Sequence, residues 1–262
     1  MKILFSLAIL LLGLIPFHAH GMPPDDLLQR ILSQGVPEDA LLRLMKFMDE
    51  NKGRGFPQEV YMCLGKDPAS VVPCNESKRI PITKTVVLES PENVAIVDYG
   101  AAATEYRFFL INLLTGDVTR YYSAHGIGSG KDNFAFRFSN LKDSRQTSLG
   151  IYLAGEVYRG HYGNTLRMYG LQGSNDQAYN RDIVLHGAWY VSDKFINSRN
   201  PTTGQRYGRL GLSWGCPAVP LESVDRIIQT LSNGGLIMHY RDSLMEEALS
   251  GREVRVPNPG FK

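Results

Sequence analysis

The sequence predicts a mainly β (α+β) fold, with two helices ahead of a strand-rich domain that ends in one helix and one strand. Three observations carry this expectation. Between residues 24 and 53, apolar side chains recur at helical spacing. From Val94 onward, short aromatic and β-branched runs alternate with Gly, Asn, Asp and Ser clusters, as in a chain of strands and turns. After Pro220 a second helical pattern runs to Asn233-Gly234-Gly235, a stop signal, and one apolar run follows.

Residues 1–21 read as a signal peptide. Lys2 precedes the apolar run 3–15, and the small residues Ala19 and Gly21 offer a cleavage site. The alternative is an uncleaved membrane anchor, but the run is short for a bilayer span. Residues 22–90 read as a helical and irregular extension. Pro24-Asp25-Asp26 starts one helix, whose stripe is Leu27, Leu28, Ile31 and Leu32. Pro37-Glu38-Asp39 starts another, with Leu41, Leu44, Met45 and Met48 on one face and an end near Gly53. Residues 91–242 form the expected main domain. Its strands are 94–98, 106–112, 118–124, 150–154, 165–169, 183–186 and 236–240. A hairpin turn falls at Leu113-Leu114-Thr115-Gly116-Asp117, and a helix at 221–232. The polar stretches 126–148 and 188–212 read as long binding loops. Residues 243–262 are a tail, Pro-rich from Val256.

A formal charge of +2, with no basic run, gives no case for nucleic acid as a partner, and none is expected. No cysteine lies near the leader's cleavage site, so no lipid anchor is expected. The mature chain is expected to be exported, periplasmic or cell-wall associated, with no stable membrane anchor. Export permits disulfides, and the three cysteines are Cys63, Cys74 and Cys216. Three pairings are open. Cys63 and Cys74 lie closest, and joining them would leave Cys216 as a free thiol.

Cys216 stands between Gly215 and Pro217, just ahead of the helix expected at 221. That is poor placement for packing and good placement for chemistry. Free cysteines are often merely buried, so the setting has to carry the case. His186 ends an apolar strand about thirty residues upstream and can serve as general base. The N–H groups of Gly215 and Cys216 are candidate donors to an oxyanion. Gly126-Ile127-Gly128-Ser129-Gly130 lacks the Lys-Ser/Thr pair and the helix of a phosphate loop. A zinc site built from His125, His161, His239 and Cys216 lacks any short ligand pair, so neither metal nor cofactor is expected. His239 follows Cys216 in the order of papain-like peptidases, but it falls in an expected central strand.

Ile183-Val184-Leu185-His186-Gly187, followed by Gly208-Arg209-Leu210-Gly211-Leu212-Ser213-Trp214-Gly215-Cys216-Pro217-Ala218-Val219-Pro220, resembles the murein L,D-transpeptidase (YkuD-like) catalytic domain. The likeness is to its Gram-negative branch, and it extends back through Ser148-Leu149-Gly150-Ile151-Tyr152, Leu166-Arg167 and the hairpin at Thr115-Gly116, over roughly residues 90–240. It implies a β-sandwich-like domain and a cysteine acyltransferase acting on peptidoglycan stem peptides. The thiolate would attack the third stem residue and release D-alanine. An amine of another stem, or of a protein to be attached to the wall, would then resolve the thioester. With water as acceptor the same chemistry gives an L,D-carboxypeptidase or an amidase; a non-catalytic peptidoglycan-binding protein is the other alternative. Carried over by residue, Cys216 is nucleophile, His186 is base, the Gly187 carbonyl orients the histidine, and Gly215 and Cys216 supply the oxyanion donors. Trp214 stands where the most familiar motif has a second histidine. It is expected in the substrate groove with Ser213, Arg167, Arg209 and Trp189.

Overall fold

Helix α4 (Val224–Leu231) dictates the layout: it carries the chain from an edge of the central sheet back to its middle. The computed structural model describes residues 24–249 except 233, together with 254 and 255. The leader expected at 1–21 and the tail from Val256 lie outside the described residues. Two N-terminal helices, α1 (Asp25–Leu32) and α2 (Glu38–Asn51), begin at the proline-acid signals and carry acidic first turns that suit the helix dipole. Two strands follow, β1 (Gly55–Cys63) and β2 (Arg79–Val87), then β3 (Asn93–Asp98), β4 (Phe108–Asn112), β5 (Val118–Tyr121) and the two-residue β6 (Arg137–Phe138). The long strands β7 (Gly150–Gly160) and β8 (Gly163–Gly170) precede β9 (Val184–Ala188) and the short helix α3 (Asp193–Asn197). β10 (Ala218–Pro220), α4 and β11 (Leu236–Tyr240) close the main domain, followed by α5 (Met245–Leu249) and β12 (Val254–Arg255), which pairs with β6.

The central sheet has the order β10-β9-β8-β7-β11-β3-β4-β5. Its pairs are antiparallel except β10 with β9 and β11 with β3. The β9–β10 crossover runs through α3, and α4 links β10 to β11 while packing on β3, β8 and β9. Every residue of β11 is buried, as expected of a strand covered on both faces. Tyr240 donates from its hydroxyl to Asp39 of α2 at 3.0 Å, while His239, one residue earlier, points the other way and packs on Tyr99 and Tyr152.

The expectation of an irregular segment before residue 90 is overturned by β1 and β2. They pair over nine residues, from Gly55 with Val87 to Cys63 with Arg79. Pro57 and Pro81 interrupt both patterns, and buried Gln58 occupies an inward position where an apolar residue would have signalled a strand. Proline is tolerated because each strand of a two-stranded sheet has a free edge. Gln58 donates to the Gly170 carbonyl at 3.1 Å, and Lys84 bonds Tyr169 and the Glu156 carboxylate. These contacts seat the hairpin against β7 and β8. A disulfide joins Cys63 at the end of β1 to Cys74 and closes the loop between the strands.

Some boundaries also move. α4 starts at Val224, later than residue 221, because Pro220 to Ser223 form a turn. β7 runs on to Gly160 through an irregularity between Ala154 and Val157, where the alternation breaks.

Replacing Cys63 and Cys74 together by alanine should lower unfolding free energy by about 2–3 kcal/mol, read from denaturant midpoints with and without reductant. Burial pushes His125 down to about 3, helped by the neighbouring Arg107, and burial pushes His239 down to about 4. Both lie below the unfolded value of 6.5, so the unfolded chain takes up protons first as pH falls. Stability should therefore be full above pH 6.5 and decline towards pH 4, with a limiting slope of about 1.4 kcal/mol per pH unit for each histidine. A flat profile across that window in denaturation experiments would contradict the assignment.

Candidate active site

The parallel pairing of β10 with β9 brings the two sequence candidates together. Ala218 is in register with His186, so Cys216, two residues earlier, lies beside the start of β9. A tight turn delivers it there. Ser213 accepts the Gly215 N–H at 3.2 Å and donates to the Cys216 carbonyl at 2.7 Å, while its own N–H bonds the His125 carbonyl at 3.0 Å. Gly215 has φ +122, and a Cβ there would lie 2.9 Å from the Gln146 carbonyl oxygen. Only glycine fits. The loop Gly126–Gly130 forms the floor under this turn. A Cβ on Gly126 would sit 2.8 Å from the Gly215 Cα, and Thr147 ties the layers by accepting from the Gly126 N–H and donating to the Gly215 carbonyl. The glycine-rich run that resembles a phosphate loop is thus a packing device for the cysteine turn.

Cys216 is the free cysteine and is half-buried. Its thiol lies 3.6 Å from the Asp182 carbonyl oxygen, to which it donates. Burial pushes the thiol upward, helped by the Asp182 charge and opposed by the Val184 backbone N–H, Arg181 and Arg167. The resting group is therefore a protonated thiol rather than a free thiolate. The ring of His186 is held by a 3.0 Å hydrogen bond between Nδ1 and the Gly187 carbonyl. A carbonyl can only accept, so Nδ1 carries the proton and Nε2 keeps its lone pair. Burial lowers the histidine below its usual range and keeps the ring neutral and able to accept a proton. Among the described residues no hydrogen bond joins His186 to Cys216. The thiol turns instead towards Asp182.

Asp182 is the residue that sequence reasoning missed. Its φ of +53 places it in the left-handed region, a conformation that needs external support. Three side chains provide it: Arg79 bonds one carboxylate oxygen at 2.5 Å, and Arg167 at 3.0 Å and Tyr61 bond the other. The only signal in the sequence is Asn180-Arg181-Asp182 ahead of an apolar run, which reads as an ordinary turn.

Several expected substrate contacts have other work. Arg167 is fully buried rather than groove-lining, and it donates to the Val71 carbonyl, Asp182 and Tyr61. Ser213 is buried and committed to the cysteine turn. The Gly215 N–H is spent on Ser213, which removes it as a free oxyanion donor. Arg209 donates to the Leu210 carbonyl and lies over Tyr207. Trp189 is exposed and packs on Tyr190 and Phe195. Neither of these two lines the cavity at the cysteine. Trp214 does. That cavity, of about 450 Å³, is bounded by Cys216, Trp214, Asp182, Arg145, Arg181 and Lys142, among others.

Residues 78–240 match the L,D-transpeptidase catalytic domain family. The match spans more than half of the chain, which therefore belongs to that family. The chain is also similar to solved structures. An L,D-transpeptidase from Mycobacterium smegmatis is 13% identical, with 61% of this chain and 63% of that one covered and a TM-score of 0.34. An L,D-transpeptidase from Mycobacterium tuberculosis H37Rv is 12% identical, with 75% and 84% covered and a TM-score of 0.32. The chain spans less than two thirds of the length of the first of these. A search of curated proteins returned no match. Among the described residues no helix is long and apolar enough to cross a membrane.

Replacing Asp182 by alanine would strand the buried Arg167 charge, and should cost about 3 kcal/mol of stability. Asp182→Asn keeps hydrogen-bonding atoms and tolerance of the left-handed region, and should lose less. Equal denaturation midpoints for wild type and Asp182→Ala would disprove the clamp.

Proposed function

We propose that the chain is a cysteine acyltransferase of peptidoglycan, an L,D-transpeptidase exported to the periplasm or cell wall. The observation that carries this reading is the pair formed by a free, cavity-lining Cys216 and a His186 whose Nδ1 is tied to the Gly187 carbonyl. The thiol must first leave the Asp182 carbonyl and give its proton to Nε2 of His186. The thiolate then attacks the carbonyl carbon of the third stem residue. Negative charge develops on that oxygen, with the Cys216 N–H as the donor this proposal retains. Collapse breaks the amide bond, and the imidazolium protonates the departing nitrogen of D-alanine, leaving a thioester on Cys216. A side-chain amine of a second stem attacks the thioester, loses a proton to His186 and forms a 3-3 crosslink as the thiolate departs. A protein amine in its place would attach that protein to the wall. Water would give the carboxypeptidase product. No cofactor enters this sequence, because each proton is moved by His186 and each acyl bond is held by Cys216.

Purified muropeptides incubated with the protein should yield new crosslinked dimers by mass analysis, and Cys216→Ala should abolish them. His186→Ala should slow thioester formation with a carbapenem by about 10²–10⁴-fold. Shortened tripeptides without dimers would assign the carboxypeptidase activity instead. Products unaffected by Cys216→Ala would overturn the enzymatic reading.

A further inference from the structure

Backbone strain is concentrated at the cysteine cavity. Among the described residues, three non-glycine residues have positive φ: Asp143 at 59°, Arg145 at 52° and Asp182 at 53°. All three line the cavity that holds Cys216. Left-handed corners of this kind persist where the surroundings hold them, and they tend to cluster at binding sites. Asp182 already has a role in holding the thiol. Arg145 does not.

Four cations line the cavity: Arg79, Lys142, Arg145 and Arg181. Three are committed to the protein. Arg79 bonds Asp182 and the Cys74 and Asn180 carbonyls. Arg181 bonds the Ser139 and Gln146 carbonyls and the Ser148 hydroxyl, and Lys142 pairs with Glu76. Arg145 differs. Its guanidinium lies over the indole of Trp214, 4.7 Å from the ring centroid, and among the described residues its N–H groups have no hydrogen-bond partner. Stacking orients the planar fork without consuming its donors. Its main chain is fixed as well. The Arg145 carbonyl accepts the Gly128 N–H at 2.9 Å, and it presses against Gly126, where a Cβ would collide with it. The loop that supports the cysteine turn therefore also holds Arg145, so nucleophile and guanidinium are set by one unit.

We propose that Arg145, stacked on Trp214, binds the free C-terminal carboxylate of the donor peptide, on the residue that leaves when Cys216 is acylated. The inference rests on the acyl-transfer reading above and adds the group that selects a peptide cut next to its terminus. A guanidinium fork matches a carboxylate in shape and charge. The carboxylate belongs to the leaving residue, one amide bond beyond the attacked carbonyl, so both ends of that residue fall inside the same cavity.

The test compares a stem tetrapeptide bearing a free terminal carboxylate with its carboxamide, using wild type, Arg145→Met and Arg145→Lys. Release of the terminal residue gives kcat/KM, and calorimetry on the Cys216→Ala protein gives binding. Wild type should favour the carboxylate, and Arg145→Met should lower kcat/KM for it by about 10–100-fold, the worth of a hydrogen bond to a charged group. The same variant should stay within about threefold of wild type on the carboxamide, and Arg145→Lys should recover part of the loss. A merely structural role would lower both peptides equally, and that result, or no change on either, overturns the proposal. If wild type releases nothing from either peptide, the acyl-transfer reading fails. Calorimetry then decides alone: a carboxylate preference lost on adding Arg145→Met supports the site, and no preference overturns it.

Discussion

The shared carboxylate of Asp182 is the interaction on which the rest of the site depends. Arg167 is wholly buried on β8, and a guanidinium there is tolerable only with an anion beside it. The same anion receives Arg79 and Tyr61 from the two strands of the β1–β2 hairpin. The main chain of Asp182 then offers its carbonyl to the thiol of Cys216. One residue therefore links hairpin, central sheet and Cys216. Family-level matching begins at residue 78 and leaves β1 out, yet Tyr61 on that strand belongs to this network.

The chemistry of the cavity follows from two opposing effects. Burial disfavours charge on both Cys216 and His186, raising the thiol and lowering the histidine. Neutral thiol and neutral imidazole are the consequence, so the ion pair has little reason to form in the resting protein. An unpaired, accessible thiolate is the form of cysteine most open to oxidation. Holding the sulfur as a thiol against the Asp182 carbonyl limits that exposure.

What could be read from the sequence was local, and what could not was tertiary. Cys216 and His186 stood out because their neighbours had a strong pattern, and β11 was legible to the residue because every one of its five side chains is apolar or packed. The β1–β2 hairpin was hidden by Pro57, Pro81 and the inward-facing Gln58, whose partner, the Gly170 carbonyl, is remote in the chain. Arg167 was placed on the right strand, paired opposite Val184 beside β9, but its direction was not legible. Its partners Val71, Tyr61 and Asp182 come from three separate segments. Ser213 misled for a related reason. A serine three residues before the candidate cysteine looks like a substrate contact, whereas here its hydroxyl is consumed in bending the chain.

Gln34, just after α1, has a further consequence. Its side-chain amide donates to the Gly116 carbonyl at 2.7 Å and accepts the Val118 N–H at 3.1 Å. A neighbouring strand would make the same two bonds, and β5 is the terminal strand of the central sheet on that side. At the opposite end, β10 is capped by a single bridge between Ala124 and Ala218. Each end of the eight-stranded sheet thus has part of its edge covered, which works against the edge-to-edge pairing that open sheets invite. The segment after α1 thus supplies from a side chain two of the bonds that a further strand would otherwise bring.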